Sequence, residues 1–281
     1  MKDTTSSSKS QIIRKLEDII SSFGKEIFNE NKKASIELKN FDKIVFGNVY
    51  IPAFYKDKKI YVREDYLNLI LNNYKNTPEL IKELMRNIIH EYVHVLLDTD
   101  LEKEEVKKNI IAHEGLATLI GNIYAKIISK YSINPNKNIE EILEEVNNYV
   151  IEKFKDKEYL KNLENELKKE LEKEINEKLI EVLEKYKECT KMSYDNLRIF
   201  DLYYESKYLF FYYLPSLMLQ KRLGILKILE DLSLGKASVE EYTEIISEEY
   251  ENLEEKNLII STLDCLEDKL TKYLEYIEKY F

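Results

Sequence analysis

A chain of 281 residues that contains only six glycines and four prolines has few places to turn. Glycine and proline are the strongest local interrupters of regular structure, so their scarcity predicts long helices and short connections. Apolar spacing agrees. Ile12, Ile13, Leu16, Ile19, Ile20 and Phe23 recur at helical intervals and mark an amphipathic helix over about 10–29, whose expected work is packing. Residues 1–9 are expected to fray.

The character changes over 35–62. Short β-prone runs at 35–38, 43–46 and 59–62 are separated by Gly47-Asn48 and Asp57-Lys58, which predicts the only sheet of the chain. A helix follows over 64–74. Thr77-Pro78-Glu79 then reads as a helix start, with threonine as cap and proline in the first turn. That helix is expected over 78–98 and a second over 100–131. Leu160, Leu163, Leu167, Leu171, Ile175, Leu179, Leu183 and Tyr186 recur every three or four positions among Lys and Glu, so 138–190 reads as one long helix with a narrow apolar stripe. It either packs on a neighbour with its charged face in solvent, arches over a cleft, or offers a partner surface. The segment 201–219 is the most aromatic of the chain, a helix break is expected at Pro215, and Gly224 and Gly235 close successive helices. Ser238-Val239-Glu240-Glu241 has the form of a capping box, and a last helix is expected over 251–280.

The chemistry is concentrated in residues 87–98. His90-Glu91-Tyr92-Val93-His94 is an H-E-x-x-H pattern inside an apolar helix. Residues four apart project from one helix face, so His90 and His94 can hold one ion together. Glu91 lies about 100° round from His90, on the shoulder of that face. There it misses the ion and reaches a water beside it, which suits a general base in zinc hydrolysis. The chain has three histidines, all between 90 and 113, and that clustering argues against accident.

Catalytic zinc usually takes three protein ligands and keeps one position open. Glu114, Asp100 and His113 are the candidates for the third. Asp100 needs a sharp turn that Leu97 does not favour, and Thr99-Asp100-Leu101-Glu102 reads instead as a capping box for the next helix. That helix carries Glu114 near its middle. Gly115, Ala117 and Gly121 are small enough to let the two helices share an ion. Glu114 is therefore the expected ligand, and Thr118, one turn on, is a candidate supporting residue.

His90-Glu91-x-x-His94 followed twenty residues on by Glu114, within His113-Glu114-Gly115-Leu116-Ala117-Thr118, resembles the gluzincin metallopeptidases. The spacing is similar to that of thermolysin-like enzymes, and the wording is closer to the aminopeptidase N-type branch. The match covers 77–125, with a weaker echo over 203–250. The resemblance implies Zn²⁺ on His90, His94 and Glu114, with Glu91 as general base and proton shuttle. It also implies an edge strand beside the cleft, at 50–54 or 60–62, that pairs with an extended peptide. The Gly-x-Met-Glu-Asn amine anchor of the aminopeptidases is absent, so endopeptidase or oligopeptidase action is the expectation. No histidine follows His113 to stabilise the oxyanion, and Arg198 and Arg222 only flank the aromatic segment. Aminopeptidase-type relatives use a tyrosine shortly before a Leu-Gly helix end. With Leu223-Gly224 as that end, Tyr208 is the expected donor and Tyr212 the alternative; Tyr203, Tyr204 and Tyr213 are weaker.

The net charge of −10 argues against non-specific nucleic-acid or anionic-membrane partners, and no 18-residue apolar run is present. The first residues lack the apolar core of a secretion signal. Cys189 and Cys265 have neither metal spacing nor framework density and read as reduced thiols. Together these predict a cytoplasmic protein. The expected fold is α+β and predominantly α, with a small N-terminal β-sheet, a two-helix zinc site and a C-terminal helical subdomain. The expected segments are a catalytic part over 1–131, a charged helical insertion over 132–193 and the C-terminal part over 194–281. The expected function is zinc-dependent hydrolysis of a peptide or protein substrate. The competing class is a non-enzymatic helical interaction protein with a structural or vestigial metal site, which a fourth protein ligand such as His113 would favour.

Overall fold

The structure, a computed structural model, describes residues 4–30, 32–40, 52–99, 108–193, 198–254 and 256–280. Its architecture is α+β and predominantly α. The long N-terminal helix α1 (Thr4–Phe28) leads to β1 (Ser35–Lys39), β2 (Ala53–Lys56) and β3 (Lys59–Arg63). Then come α2 (Glu64–Asn73), α3 (Glu79–Leu96), α4 (Ile110–Ser129), α5 (Ile139–Lys155) and α6 (Lys157–Lys191). The remainder is α7 (Arg198–Tyr208), a π-helical turn (Leu209–Tyr213), α8 (Leu214–Leu223), α9 (Ile225–Ser233), α10 (Val239–Glu251) and α11 (Lys256–Tyr280).

β3 is the central strand of the sheet, parallel to β1 and antiparallel to β2. Of the two candidate edge segments, 60–62 is paired on both sides, and among the described residues the edge strands are β1 and β2. The β2–β3 hairpin turns at Asp57 and Lys58, both left-handed with φ of 51° and 63°, as a two-residue hairpin requires even without glycine. The run at 43–46 lies outside the described residues.

α3 is buried nearly all round, since Ile81, Leu84, Met85, Ile88, Ile89, Tyr92 and Val93 have no exposed surface. Each such aliphatic side chain contributes about 1.5–3 kcal/mol on burial, so the metal helix is fixed by packing on several sides. α1 packs across it. Gly24 makes that crossing possible, because a Cβ there would lie 1.9 Å from the Tyr92 hydroxyl. Phe23 meets Phe28, Tyr124 and Phe154 edge-on, with ring centroids 5.2–5.5 Å apart, and so ties α1 to α4 and α5.

The segment 138–190 is two helices instead of one. Asp156 ends α5 in extended geometry, and its carboxylate accepts the Tyr159 N–H to cap α6. The apolar stripe is continuous across this break, so periodicity alone does not reveal it. α5 packs on α1 and α4, and α6 packs on α9 and α11. One continuous buried cluster draws on α1, the sheet, α3, α4, α5, α6, α8, α9 and α11, so the three segments share a core.

The expectation of reduced thiols is corrected. Cys189 on α6 and Cys265 on α11 form a disulfide across a sequence separation of 76 residues. The two long helices bring them together within a small cluster with Leu202 and Leu266, a juxtaposition that spacing along the chain does not report. No helix among the described residues is long and apolar enough to cross a membrane.

Candidate metal centre

His90 and His94 project from one row of α3, and α4 crosses that row closely. A Cβ at Gly121 would lie 3.4 Å from the Arg86 carbonyl and 3.5 Å from the His90 Cβ. Gly115, by contrast, faces α8, where a Cβ would meet the Pro215 Cβ at 2.9 Å. The two small residues therefore serve different contacts. The crossing brings Glu114 Oε2 to 3.4 Å from His90 Nε2 and 3.3 Å from His94 Nε2. Among the described residues these three form the one group of potential ligand atoms within 4.8 Å of one another. Asp100 lies outside the described residues.

The donor set fits a tetrahedral ion. Bonds of about 2.0–2.1 Å at tetrahedral angles put neighbouring ligand atoms about 3.3–3.4 Å apart, the separation found from Glu114 to each histidine. Glu114 Oε2 is buried and makes no hydrogen bond, so a cation would supply the partner it lacks. Burial works to raise the Glu114 carboxyl, yet the charge of His94 and the contacts to both histidines hold it well below the usual carboxylate range. Burial likewise works to lower His94, but Glu114 on balance raises it. Glu114 and His94 thus hold charge in place for one another.

The end of α3 adds a residue that reads in the sequence only as a cap. Asp98 adopts the left-handed region with φ of 51°, while the Thr99 N–H bonds the His94 carbonyl and the Asp98 N–H bonds the Val95 carbonyl. This Schellman turn folds the chain back on the last turn of the helix. The buried Thr99 hydroxyl then lies 3.4 Å from His94 Nδ1 and 2.8 Å from His113 Nδ1. A histidine that binds metal through Nε2 carries its proton on Nδ1, and the group receiving that proton fixes the ring. With a metal on His94 Nε2, Thr99 would accept that proton and turn its own hydroxyl proton toward His113 Nδ1. Burial and the charge of His94 push His113 down to about 4, which keeps its ring neutral and able to accept. His113 therefore stands behind the ligand shell. Thr118 also lies buried, but its hydroxyl has no partner and supports no ligand.

Glu91 sits on the shoulder of the histidine row, beside β2. Burial raises its carboxyl above the usual range, partly offset by the two histidines and by the backbone N–H of Tyr55, which donates to it. In the β2–β3 register, Tyr55 opposes Ile60 one pair beyond the turn-closing residues Lys56 and Lys59, so its N–H faces away from β3. The Tyr55 ring stacks on His94 at 6.3 Å. The edge strand thus lies directly against the general-base candidate.

The opposite wall is the aromatic segment, and here the structure separates the two tyrosine candidates. Tyr212 stacks on His90, with centroids 6.2 Å apart. Its hydroxyl is pushed well above the ordinary phenol range by burial and by the charges of Glu114 and Glu91. Tyr208 stacks on the outer face of Tyr212 at 5.5 Å, is 45% exposed, and takes a hydrogen bond from Arg86 Nη2 at 2.9 Å. The helix break expected at Pro215 does not occur. The Leu214 N–H reaches back to the Leu209 carbonyl in a π turn, and helix continues through the proline. A π turn holds one extra residue, so it rotates the helix before it by about 100° relative to the helix after it. That rotation sets Tyr212 against the histidine. Tyr203 belongs to the small cluster around the disulfide, Tyr213 lines a cavity of about 360 Å³ behind α4, and the side chain of Tyr204 is outside the described residues.

No protein-family model, curated protein or solved structure matches the chain. The gluzincin resemblance therefore stands on the residues of the site alone. Three residues around it are not singled out by the sequence. Thr99 and Tyr55 carry no signal there beyond cap and strand, whereas Arg86 falls four residues before His90 and is visible in the same row.

Proposed function

We propose that the chain is a zinc-dependent metallopeptidase that hydrolyses peptide bonds, with His90, His94 and Glu114 as ligands and Glu91 as general base. The observation that carries this reading is the three-donor cluster, its ligand atoms within 4.8 Å of one another, with a proton-seeking carboxylate beside it that is not one of the donors. Zinc held there supplies a Lewis acid that acidifies water and polarises a carbonyl. Glu91, steered by the Tyr55 N–H, takes the proton of the attacking water and returns it to the departing amine. Tyr212 is the better placed of the two tyrosines to donate to the oxygen that gains charge, and Tyr208 supports it from behind. β2, an edge strand of the described sheet that lies beside Glu91, is the strand along which an extended peptide would run. The competing reading, a structural metal in an interaction protein, calls for a fourth protein ligand, and the candidate His113 turns to Thr99 instead.

Metal analysis and mass spectrometry of a peptide library digested with and without chelator test the proposal. About one zinc per chain is expected, lost in Glu114→Ala. Glu91→Gln is expected to keep the metal and lose cleavage. An active Glu91→Gln protein, or cleavage that survives chelation, would overturn the reading. A cytoplasmic setting belongs to the same proposal, and the Cys189–Cys265 disulfide weighs against it, because reducing compartments keep thiols reduced. Electrophoresis of protein trapped directly from cells, with and without reductant, decides that point.

A further inference from the structure

Arg86 precedes His90 by four residues and His94 by eight, so the three share one row of α3 at steps of about 6 Å. A guanidinium thus stands one helical turn from the metal centre, on the face that carries the ligands. The chain has 53 acidic residues against 43 basic ones, and carboxylates pair with several of the cations on neighbouring surfaces. Lys82 pairs with Glu79, Lys221 with Glu249, and Arg222 with Glu248. Among the described residues Arg86 pairs with no carboxylate. Its side-chain partner is the Tyr208 hydroxyl, which accepts from Nη2 at 2.9 Å.

The pair is held in position from both sides. The Arg86 stem lies under Gly121, where a Cβ would come within 3.8 Å of its Cγ. Tyr208 is fixed by a stack of rings that starts on the metal ligand, from His90 to Tyr212 to Tyr208, with interplanar angles of 19–20°. A guanidinium has five N–H donors, and the tyrosine uses one of them. Having accepted that bond, the Tyr208 hydroxyl still has its own proton to donate. Tyr208 is half exposed and Arg86 only partly buried, so this proton and the remaining guanidinium donors are open to a ligand from solvent. Two converging donor groups with a planar fork match the geometry of a carboxylate.

We propose that Arg86 and Tyr208 form a carboxylate-binding subsite at one end of the metal cleft, selecting peptides with a carboxylate close to the cleaved bond. This deepens the peptidase reading and rests on it for the word substrate. The carboxylate comes either from a free C-terminus or from an Asp or Glu side chain, and the chemistry of recognition is the same. In an acidic protein that repels anionic peptides overall, a local fork is what makes such a substrate acceptable.

The test uses the full-length zinc-loaded protein and matched peptides that differ only in the carboxylate. One arm compares C-terminal carboxylate with carboxamide, and the other compares Asp or Glu with Asn or Gln at each position. Cleavage is read as kcat/KM. Binding is read separately by fluorescence anisotropy on Glu91→Gln protein, so that it does not depend on turnover. A charge-assisted contact predicts about a ten- to hundred-fold preference for the carboxylate member of one arm. The preference should fall to about one in Arg86→Met and Arg86→Gln, partly survive in Arg86→Lys, and shrink in Tyr208→Phe, with zinc content checked in each. A merely structural strut between Arg86 and Tyr208 would change stability and leave the ratio alone. Equal handling of both members by the wild type, or a preference that persists in Arg86→Met, overturns the subsite while leaving the peptidase reading intact. Preferential binding of the carboxylate member without cleavage of either overturns the peptidase reading and keeps the subsite.

Discussion

Removing one hydroxyl far from the metal, in Tyr250→Phe, should disturb the candidate active site. In the π turn each N–H reaches back five residues, as the Leu214 N–H does to the Leu209 carbonyl. The next carbonyl, that of Phe210, would face the N–H of residue 215, which is a proline and has none. Tyr250, from α10, donates its hydroxyl to the Phe210 carbonyl and fills the vacancy. Burial pushes the phenol far above its ordinary pKa, so the proton stays on the oxygen and the bond persists across the working range. Phenylalanine leaves the ring in place and strips a buried carbonyl of its partner, which costs about 1–3 kcal/mol. For a chain of this size that is a fall in Tm of roughly 2–4 °C per kcal/mol. A second effect arises from geometry. If the unsupported turn tightens toward an α-helix, the residues within it change their angular phase, and Tyr212 is drawn away from His90. Turnover should then drop at constant zinc occupancy, although Tyr250 touches neither ion nor substrate. Thermal unfolding and kcat on zinc-matched samples give both readouts. A variant within about 0.5 kcal/mol of wild type and fully active would show that the carbonyl is satisfied otherwise and that Tyr250 does not hold the turn.

Thr99→Val keeps the shape but cuts the link between His94 Nδ1 and His113 Nδ1, and zinc affinity measured by chelator competition should fall about 10–100-fold; unchanged affinity would remove Thr99 from the support of the site. In metal-free protein, His113 is held near a pKa of 4 against 6.5 for the free group, so below pH 6.5 the unfolded chain takes up a proton that the folded one refuses. Its contribution is therefore complete above pH 6.5 and is lost as pH falls toward 4, by about 3 kcal/mol at 1.36 kcal/mol per unit. Urea unfolding should show a shallower slope across that window in His113→Gln, and an equally steep slope would contradict the assignment. Gly24→Ala drives a methyl into the Tyr92 hydroxyl and should cost about 1–3 kcal/mol; if Tyr92→Phe does not relieve part of that loss in the double variant, the clash lies elsewhere.

How much of this is legible in the sequence depends on whether the controlling distance is local. His90 and His94 are related by the helix period, and Glu114 by a second helix whose small residues advertise a close crossing. These need no knowledge of distant chain. β1 and β3 are likewise visible as β-prone runs, whereas β2 is not among those runs and overlaps only the 50–54 segment that the resemblance offers as an edge strand. The choice between Tyr208 and Tyr212 is not local, because it turns on a one-residue phase shift in the helix. Periodicity assumes a uniform 3.6 residues per turn, and a π turn violates that assumption over five residues. Pro215 is its visible sign, since a proline inside a helix must be accommodated by breaking it or widening it. Cys189 and Cys265 show the opposite limit. Nothing in their spacing predicts that α6 and α11 cross where both carry a cysteine.

The glycines show why so helical a chain can nonetheless hold a defined cleft. Glycine in a helix interior costs about 1 kcal/mol relative to alanine, and a chain with only six of them places three inside helices. Gly24 and Gly115 stand where another helix leaves no room for a Cβ, whereas at Gly121 a Cβ would make ordinary contact at 3.4 Å. Gly24 meets Tyr92, the neighbour of Glu91. Gly121 meets the His90 Cβ and the stem of Arg86. Gly115, the neighbour of Glu114, meets Pro215 just past the π turn that carries Tyr212. The two tight approaches therefore each set the distance of one functional group from its neighbours: the base from α1, the glutamate from the tyrosine wall. A helix packed through large side chains stands 8–10 Å from its neighbour with some latitude, whereas contact through a missing Cβ has almost none. The cost in helix propensity at Gly24 and Gly115 thus goes with two tight contacts, which seat the helices of Glu91 and Glu114 against α1 and α8.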